Sequence, residues 1–317
     1  MFMERISCTA SQVEVSRFDS LRIKVTNRCP WRCKFCHKEG SPSSQDLRLD
    51  EALLSTLHRF YTDLGLKEVH LTGGEPSWYP ECERLVSELH NMGFQVKMTS
   101  NGQFDFELLK RLANAGLYSI NFSIHTLNPH NLAEIQTPQR SIEWGKQALE
   151  TQLQNLRGAK EMGLVVKINT VVQDNIEDAV DVIDFCRQEA IDLRLLNDLS
   201  LGALSIEAIV EILQSLGAEI EGIGLVDGVS SYSCRVVTSA GFRFSVKAIR
   251  RCSLRTMCGY CNIRDQCQEW FYGIRIEQIG DRPLVRLCLH RQDFPSVQTI
   301  EDFFSSGQFH EIQQLVQ

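Results

Sequence analysis

The sequence lacks the features that mark membrane, secreted and nucleic-acid-binding proteins. No stretch approaches the roughly 18–20 uninterrupted apolar residues of a membrane-spanning helix, so no membrane association is expected. The first residues, MFMERISCTASQVEVSRF, hold no apolar core of signal-peptide length, which favours a cytoplasmic protein. Lys and Arg number 33 against 40 Asp and Glu, and no basic run is visible. Bulk DNA or RNA binding is therefore not expected, although a local anion site is compatible with this charge.

Twelve cysteines stand out in a chain of 317 residues that is otherwise ordinary in composition. Because disulfides are rare in the cytoplasm, metal binding or redox chemistry is the better interpretation. Three cysteines cluster early and six crowd the last third: Cys29, Cys33, Cys36, then Cys234, Cys252, Cys258, Cys261, Cys267 and Cys288. The isolated Cys8, Cys82 and Cys186 are interpreted as ordinary residues.

Short β-rich runs alternate with longer helical segments over most of the chain. The predicted strands are Leu21–Thr26, Glu68–Leu71, Gln95–Thr99, Ser119–Ser123, Val165–Val172 and Asp192–Leu196. The predicted helices are Asp50–Leu64, Glu83–Met92, Phe106–Ala115, Glu143–Met162 and Ile176–Glu189. This alternation predicts an α/β fold with parallel strands and right-handed crossovers, either a partial or full (β/α) barrel or a doubly wound open sheet.

The alternation fades after about Gly222, where most of the remaining cysteines lie. We expect three parts: an N-terminal segment (1–20), a barrel (21–222) and a smaller C-terminal cluster-bearing region (223–317). Short strand-like runs in the last part are Arg235–Val237, Phe242–Val246, Gly273–Glu277 and Leu284–Cys288. One final helix is predicted over Ile300–Val316.

The early cysteines form a Cys-x3-Cys-x2-Cys motif, C-P-W-R-C-K-F-C, directly after the first predicted strand. In a parallel barrel this loop opens at the C-terminal face, where active sites lie. A [4Fe–4S] cluster takes four ligands, so three thiolates would leave one iron open for substrate or cofactor. A zinc site with His37 as the fourth ligand is the alternative.

Two further motifs follow the next two predicted strands. Thr72–Pro76 reads T-G-G-E-P, in which the glycines allow close backbone approach and Glu75 adds a carboxylate. Ser100-Asn101-Gly102 occupies the same position after the third strand. Each motif alone is consistent with a plain turn, but three at successive strand ends predict one shared ligand site.

These motifs together resemble a known enzyme superfamily. The runs LRIKVTNRCPWRCKFCHKEG, TGGEP, TSNG, NFSIHTL and VKINTVV occur in order between about Leu21 and Leu196. They resemble the radical S-adenosylmethionine (SAM) enzymes, and more narrowly the GTP 3′,8-cyclases that open molybdenum cofactor biosynthesis. The resemblance implies a partial (β/α)6 TIM-like barrel with a smaller auxiliary-cluster domain. It also implies that the open iron chelates SAM, whose 5′-deoxyadenosyl radical takes a hydrogen atom from substrate, and that a flavodoxin- or ferredoxin-type protein donates electrons.

The resemblance also implies roles for particular residues. Cys29, Cys33 and Cys36 would ligate the SAM-binding cluster, and Phe35 would pack near the adenine. Gly73, Gly74, Glu75 and Pro76 would receive the methionine amino group. Ser100 and Asn101 would face SAM, and Ser123 would meet its ribose or carboxylate.

The late cysteines resemble ligands of an auxiliary [4Fe–4S] cluster. Cys258, Cys261 and Cys288 match the three ligands of the cyclases, whose open iron contacts the purine. Cys267 adds a Cys-x2-Cys-x5-Cys spacing similar to that of other radical SAM enzymes, including peptide-modifying ones. If Cys267 or Cys252 is a fourth ligand the cluster is closed, which we favour slightly; either thiol, or Cys234, is alternatively a hydrogen-atom donor. Structural zinc is the remaining alternative.

The substrate-binding pattern of the cyclases is only partly present. Arg22, Lys167, Arg194 and Arg275 fall where basic residues for a triphosphate are expected. Glu68 and His70, however, precede TGGEP where the cyclases usually carry basic residues. The Asn-Arg-x-Arg motif reads Asn262-Ile263-Arg264-Asp265, and the C-terminal Gly-Gly is missing.

We therefore expect a cyclase-like radical SAM enzyme with another small-molecule substrate, such as a nucleotide, sugar or specialised metabolite. Three alternatives remain: a genuine GTP 3′,8-cyclase, a peptide-modifying enzyme, and a non-enzymatic metal-binding or redox-sensing protein. A leader-binding domain is not evident at Met1–Ser20, which disfavours a peptide substrate.

Overall fold

The computed structural model describes residues 8–36, 45–173, 175–267 and 269–316, with side chains from residue 12 onward. Its body consists of parallel strands connected by helices on one side. In chain order these are β2 (Ser20–Thr26), α1 (Glu51–Thr62), β3 (Glu68–Gly73), α2 (Cys82–Asn91), β4 (Gln95–Ser100), α3 (Phe106–Asn114), β5 (Leu117–Ser123), α4 (Pro129–Glu134), α5 (Ile142–Glu161), β6 (Val165–Val172), α6 (Ile176–Glu189), β7 (Asp192–Asn197) and α7 (Ala203–Ser215).

Strands β2 to β7 lie side by side in chain order, and each pairs in parallel with the next. A doubly wound sheet would instead reverse its strand order at a switch point. The predicted α/β fold with a partial (β/α)6 barrel is therefore confirmed.

The remaining strands extend both edges of this sheet. On the β7 side lie β10 (Arg243–Ile249), β9 (Ser231–Val237), β8 (Glu219–Val226) and β1 (Cys8–Ser16), and on the β2 side lie β11 (Ile274–Ile279), β12 (Arg282–Arg286) and β13 (Val297–Thr299). β10 pairs in parallel with β7, and β11 pairs in parallel with β2. The expected boundary at residue 222 falls inside β8, and the three-part division of the chain stays a proposal.

Local sequence explains the way that these elements begin and pack. Asp50 caps α1 by accepting a hydrogen bond from the Leu53 amide at 2.9 Å, as its position before the helix predicts. Alternate residues of β2 (Leu21, Ile23, Val25) are fully buried in the apolar core. The residues between them face the barrel interior, and Arg22 lines its cavity.

The C-terminal helical region differs from the prediction. The prediction of one continuous helix over Ile300–Val316 is wrong, because the structure has two helices there, α9 (Ile300–Phe304) and α10 (Gly307–Val316). A short helix, α8 (Arg255–Cys258), lies earlier in the C-terminal region. The Ser306 hydroxyl causes the break: it donates to the Phe303 carbonyl at 2.7 Å and accepts from the Phe309 amide at 3.1 Å. Among the described residues no helix has the length and apolarity needed to cross a membrane.

Candidate functional site

A cavity of about 340 Å³ lies inside the curved sheet, towards the C-terminal ends of the parallel strands. Closed barrels fill this space with branched apolar side chains. Here many of the lining side chains are polar, among them Thr72, Thr99, Asn121, Ser123 and Asn169. The cysteine loop, the TGGEP turn and the Ser100–Asn101 turn all border this one cavity, as their predicted positions at successive strand ends require.

The cysteine loop is held in place by the segment between α4 and α5. Lys34 donates its amide to the Ile135 carbonyl at 2.8 Å, and the Thr137 amide donates to the Arg32 carbonyl at 2.8 Å. The Gln136 side chain accepts from the Arg32 amide at 2.9 Å. Since these contacts fix the loop on both sides of Cys33, its thiol position is determined before any ligand binds.

Amide groups point at two of the three sulfurs. Asn101 Nδ2 donates to Cys29 Sγ at 3.5 Å, and Gln136 Nε2 donates to Cys33 Sγ at 3.6 Å. Burial raises the pKa of the Cys29 thiol to about 12 and that of Cys33 to about 11, so metal binding must displace protons there. Hydrogen bonds to ligating sulfurs also tune the potential of an iron–sulfur cluster.

The donor set of this loop fits a [4Fe–4S] cluster with one open iron. Its three thiols lie within eight residues, and Cys36 is exposed while Cys29 and Cys33 are half-buried. Among the described residues no three His, Cys, Asp or Glu side chains are close enough together to hold a single metal ion. A cubane needs a wider arrangement, because each thiolate binds a different iron atom. His37, the alternative fourth zinc ligand, lies outside the described residues.

The two glycines of the TGGEP turn are required by packing against the cysteine loop. A Cβ on Gly73 would clash with the Thr26 carbonyl, and one on Gly74 would clash with the carbonyl oxygens of Asn27 and Arg28. Because neither glycine has a Cβ, the two segments approach closely and the Gly74 amide donates a hydrogen bond to the Thr26 carbonyl at 2.7 Å. The close backbone approach predicted for this turn is thus made to the start of the cysteine loop.

Glu75 links the TGGEP turn to the turn after β4. The buried carboxylate accepts hydrogen bonds from the Ser77 amide and hydroxyl at 3.2 and 2.8 Å, and from the Ser100 hydroxyl and Asn101 amide, both at 2.7 Å. Burial raises the pKa of this carboxyl group, and the four hydrogen bonds oppose that rise. Both carboxylate oxygens are thus engaged in joining the two turns.

Helix α5 supplies two buried amides that the sequence analysis missed. Gln152 Nε2 donates to the carbonyls of Asn101 and Ser123 at 2.9 and 2.8 Å. Asn155 Nδ2 donates to the carbonyls of Gly102 and Phe104 at 2.9 and 2.8 Å. The sequence signal that could have identified them is a pair of amide side chains, three residues apart, on the buried face of a predicted helix.

His125 was also missed, although it lies within the NFSIHTL run. Its Nδ1 accepts from the Val171 amide at 3.0 Å, and its ring meets that of Phe35 edge-on with centroids 4.7 Å apart. Burial lowers the pKa of His125 to about 4, so the ring is neutral at physiological pH. It therefore supports the predicted adenine-packing residue as an uncharged surface.

Sheet register gathers basic side chains at another part of the cavity. Arg275 on β11, Arg22 on β2 and His70 on β3 are aligned across three neighbouring strands, and Arg194 on β7 also lines the cavity. Lys167, the other predicted basic residue, is not among the lining residues; its ammonium lies 3.7 Å from Asp192. Two lining residues that sequence reasoning missed, Lys247 and Tyr272, complete the group.

The late cysteines converge on a second, much smaller pocket. Cys258, Cys261, Cys267 and Cys288 line it together, beside Trp270 and Arg291, and Cys252 and Cys234 are not among its lining residues. Burial raises the pKa of the Cys258 thiol to about 11, and the neighbouring Cys288, Cys261 and Cys267 add to that rise. The Trp270 amide donates to Cys267 Sγ at 3.2 Å. Leu289, next to Cys288, lines the main cavity, so the two pockets share a wall.

The sequence profile described as "Radical SAM superfamily" matches residues 23–186, just over half of the chain. The chain belongs to the radical SAM superfamily. It is accordingly a radical SAM enzyme, and membership implies SAM and a [4Fe–4S] cluster as cofactors. The matched segment covers five of the six parallel barrel strands and all three motifs that border the cavity.

Curated relatives of this radical SAM enzyme are GTP 3′,8-cyclases. The chain is 31% identical over 188 residues to that of Nautilia profundicola, covering 57% of this chain and 56% of the relative. It is 31% identical over 194 residues to that of Aquifex aeolicus, covering 58% of each. A probable GTP 3′,8-cyclase of Methanothermobacter thermautotrophicus is 32% identical over 181 residues, covering 56% of each. The chain thus spans a little over half the length of the curated relatives it matches.

Solved structures with a similar fold are more distant. Streptococcus suis SuiB bound to S-adenosylmethionine aligns over 68% of this chain and 48% of its own, with 20% identity and a TM-score of 0.48. Native anSMEcpe with bound AdoMet aligns over 56% of this chain and 51% of its own, with 19% identity and a TM-score of 0.45.

Proposed function

We propose that this radical SAM enzyme abstracts a hydrogen atom from a small anionic molecule, such as a nucleotide, a sugar phosphate or a specialised metabolite. The observation that carries the proposal is one cavity bordered by the three-cysteine loop and lined elsewhere by Arg22, Arg194, Lys247 and Arg275. The cluster and SAM, when bound, supply a 5′-deoxyadenosyl radical. The chain's own residues then have to hold the substrate and exclude water.

Cys29, Cys33 and Cys36 are proposed to hold the SAM-binding cluster. Support comes from the fixed loop and from the amides of Asn101 and Gln136 that reach two sulfurs. Phe35 would pack on the adenine, backed by His125. The turns Gly73–Pro76 and Ser100–Asn101, with Ser123, would contact the rest of SAM, and Glu75 would fix the two turns relative to each other.

The basic side chains are proposed to bind the anionic group of the substrate. Guanidinium groups match carboxylate and phosphate oxygens in a two-point geometry, and a lysine adds a point charge. Burial lowers the pKa of Arg194, and its Nε is a buried donor with no hydrogen-bond partner among the described residues. An unsatisfied buried donor costs free energy, so an incoming acceptor would be favoured there.

We propose that Cys258, Cys261, Cys267 and Cys288 hold an auxiliary [4Fe–4S] cluster. Four thiols around one pocket favour a closed cluster over one with an open iron. The Arg291 guanidinium beside Cys261 suits the negative charge of such a cluster. A closed cluster behind the cavity wall would pass electrons, which a flavodoxin- or ferredoxin-type protein would supply.

A genuine GTP 3′,8-cyclase is the second candidate, supported by the names of the relatives and by Arg22, Arg194 and Arg275 in the cavity. Two observations disfavour it. Glu68 forms an ion pair with Lys97 on β4, and Lys167 on β6 lies beside Asp192, so these two lysines of the sheet already face carboxylates.

Anaerobic reconstitution tests the cofactor proposal. Wild-type protein should bind about eight irons, as two [4Fe–4S] clusters require, and should release 5′-deoxyadenosine from SAM when reduced. The triple variant Cys29→Ala/Cys33→Ala/Cys36→Ala should keep about four irons and should release no 5′-deoxyadenosine. Cys82→Ala, a buried cysteine outside both sites, is the matched control. Loss of all iron from the folded triple variant would refute the two-cluster proposal.

A screen of substrates tests the anionic class. Phosphorylated or carboxylated metabolites should stimulate 5′-deoxyadenosine release more than their neutral analogues, and Arg194→Met should reduce that difference. A GTP-dependent cyclised product would establish the second candidate instead. Equal stimulation by neutral and anionic compounds would count against the proposed substrate class.

A further inference from the structure

Tyr272 occupies the centre of the basic side chains in the cavity. It lies two residues before β11, and its hydroxyl accepts a hydrogen bond from Lys247 Nζ at 2.7 Å. Arg22 Nη2 donates to the same oxygen at 3.5 Å. Both donors come from strands that the sequence places far from Tyr272, so the contact depends on the sheet order β10-β7 and β2-β11.

Cations also surround the Tyr272 ring. The Lys247 ammonium lies 4.2 Å from the ring centroid, and the guanidinium carbons of Arg275 and Arg22 lie 4.9 and 5.4 Å from it. Arg194 on β7 adds a further positive charge. Four strands therefore turn cationic groups towards one phenol: β2, β7, β10 and β11.

This surrounding changes the acidity of the phenol. Burial raises the pKa of Tyr272, but the charges of Lys247, Arg22 and Arg275 outweigh it and bring the pKa down to about 7. A group with a pKa near the working pH is the most effective at transferring protons.

Most other titratable side chains that line the cavity are engaged elsewhere. Asp198 accepts hydrogen bonds from the Ser200 hydroxyl at 2.6 Å and from Gln173 Nε2 at 3.2 Å, and Glu269 is the remaining acidic side chain of the lining. The Glu75 oxygens accept hydrogen bonds from Ser77, Ser100 and Asn101. His125 Nδ1 accepts from the Val171 amide, and His70 Nε2 is 2.7 Å from Thr99 Oγ1. Tyr272 differs because its hydroxyl faces cationic donors that stabilise a phenolate.

We propose that Tyr272, paired with Lys247, accepts a proton from a hydroxyl or amine of the substrate, and that Lys247 stabilises the phenolate form of Tyr272. This proposal rests on the proposed function. It narrows the substrate class further, because the substrate must carry an ionisable O–H or N–H group near its anionic group. In the step, the phenolate oxygen forms a bond to the substrate proton as the substrate O–H or N–H bond breaks. The electron pair stays on the substrate heteroatom, Lys247 keeps its proton, and no oxidant or reductant is consumed.

The first test measures ionisation directly and needs no substrate. The ultraviolet tyrosinate band of the cluster-loaded enzyme should show one of its six tyrosines titrating near pH 7, against about 10 for an ordinary tyrosine. Tyr272→Phe should remove that transition, Lys247→Met should move it to higher pH, and the exposed control Tyr118→Phe should retain it. Absence of the transition in wild type, or its persistence in Tyr272→Phe, would overturn the proposal.

The second test separates proton transfer from radical formation. With a substrate found through 5′-deoxyadenosine release, Tyr272→Phe should still cleave SAM but should form product about 10²–10⁴-fold more slowly. Product formation by wild type should depend on pH around 7, and the variant should lose that dependence. A variant with an unchanged pH profile would reject the pair, whereas failure of wild type to cleave SAM would reject the proposed function.

Discussion

At the scale of single residues, the candidate site depends on side chains that join neighbouring loops. Glu75 contacts Ser77, Ser100 and Asn101, and thereby sets the distance between two turns that border the cavity. Its effect on SAM binding is expected to pass through those turns. The same holds for Gln152, which fixes the carbonyls of Asn101 and Ser123.

Glu75→Gln should be destabilising although the two side chains have nearly the same shape. Ser100 donates to Oε1 and Asn101 to Oε2, so the NH₂ group would replace the acceptor at one of these oxygens and leave a buried donor unpaired, at a cost of about 1–3 kcal/mol. We expect a lower free energy of unfolding in urea and weaker SAM binding by the cluster-loaded protein. Glu83→Gln, which removes an exposed partner of Arg111, should change stability by no more than about 0.5 kcal/mol. If the two variants had the same free energy of unfolding and the same SAM affinity, Glu75 would not hold the two turns in place.

His125 should make the protein less stable in mild acid. Its pKa is about 4 in the folded protein and near 6.5 when unfolded, so the unfolded state binds more protons between these values. Stability is therefore full above pH 6.5 and falls as the pH drops towards 4, by about 2 kcal/mol at pH 5. Urea unfolding at pH 7 and pH 5 measures this difference. It should shrink in His125→Asn and stay in His58→Gln, whose histidine is exposed on α1.

At the scale of elements, helix α5 connects the cysteine loop to the strand-end turns. Its first turns pack on α4, which supports the cysteine loop, and its buried amides hold the turns after β4 and β5. Gly145 permits the close approach to α4, since a Cβ there would clash with the Pro129 carbonyl. A small shift of α5 would therefore reach both parts of the site.

Gly145→Ala should lower the free energy of unfolding by about 1–3 kcal/mol, because overpacking forces α4 and α5 apart. Thermal unfolding followed by circular dichroism measures the loss. Gly307→Ala provides the control, since a Cβ at Gly307 would make only an ordinary contact at 3.4 Å with Thr256. If both variants unfolded at the wild-type temperature, the close helix contact would not be needed.

How far the sequence predicts such elements depends on the range of the interactions involved. The Asp50 cap and the alternation of Leu21, Ile23 and Val25 are local patterns, so the barrel strands and most of their helices were predicted. The three cavity motifs were found because each follows its own strand. The strand β1 and the helices α4 and α7 were not predicted, and the break at Ser306 was missed because a serine hydroxyl can face solvent or cap a helix.

Tyr272 and Lys247 could not be recognised from sequence, because neither belongs to a motif. Their contact arises only when β10 pairs with β7 and β11 pairs with β2. The same limit applies to the fourth cysteine of the late group. Spacing left Cys267 and Cys252 open, and the fold brings Cys267 to the shared pocket.

At the scale of the whole molecule, one buried ion pair connects the barrel edge to the late cysteines. Arg286 on β12 is fully buried and pairs with Glu277 on β11. The same guanidinium donates to Gln292 at 2.6 Å and to the Cys288 and Leu289 carbonyls at 3.5 and 3.4 Å. Through these contacts the strand next to β2 fixes the position of Cys288.

Arg286→Met should destabilise the protein by about 3–5 kcal/mol, because it leaves the Glu277 carboxylate buried without its partner. It should also reduce the iron content of the late cysteine site, with the three-cysteine loop less affected. The double variant Glu277→Leu/Arg286→Met should regain much of the stability without regaining the auxiliary iron. Wild-type stability and iron content in the single variant would contradict this account.

The pairing of β2 with β11 has a consequence for the order in which the protein is made. Of the two strands, β2 is synthesised first, and its partner residues Ile274–Glu277 are synthesised only after all the other parallel strands of the barrel. Pairings of such high contact order form slowly, and until this one forms one edge of β2 is unpaired next to the cysteine loop. Nascent or prematurely terminated chains that end before β11 would therefore expose a bare parallel edge, and we expect them to aggregate or to need a chaperone.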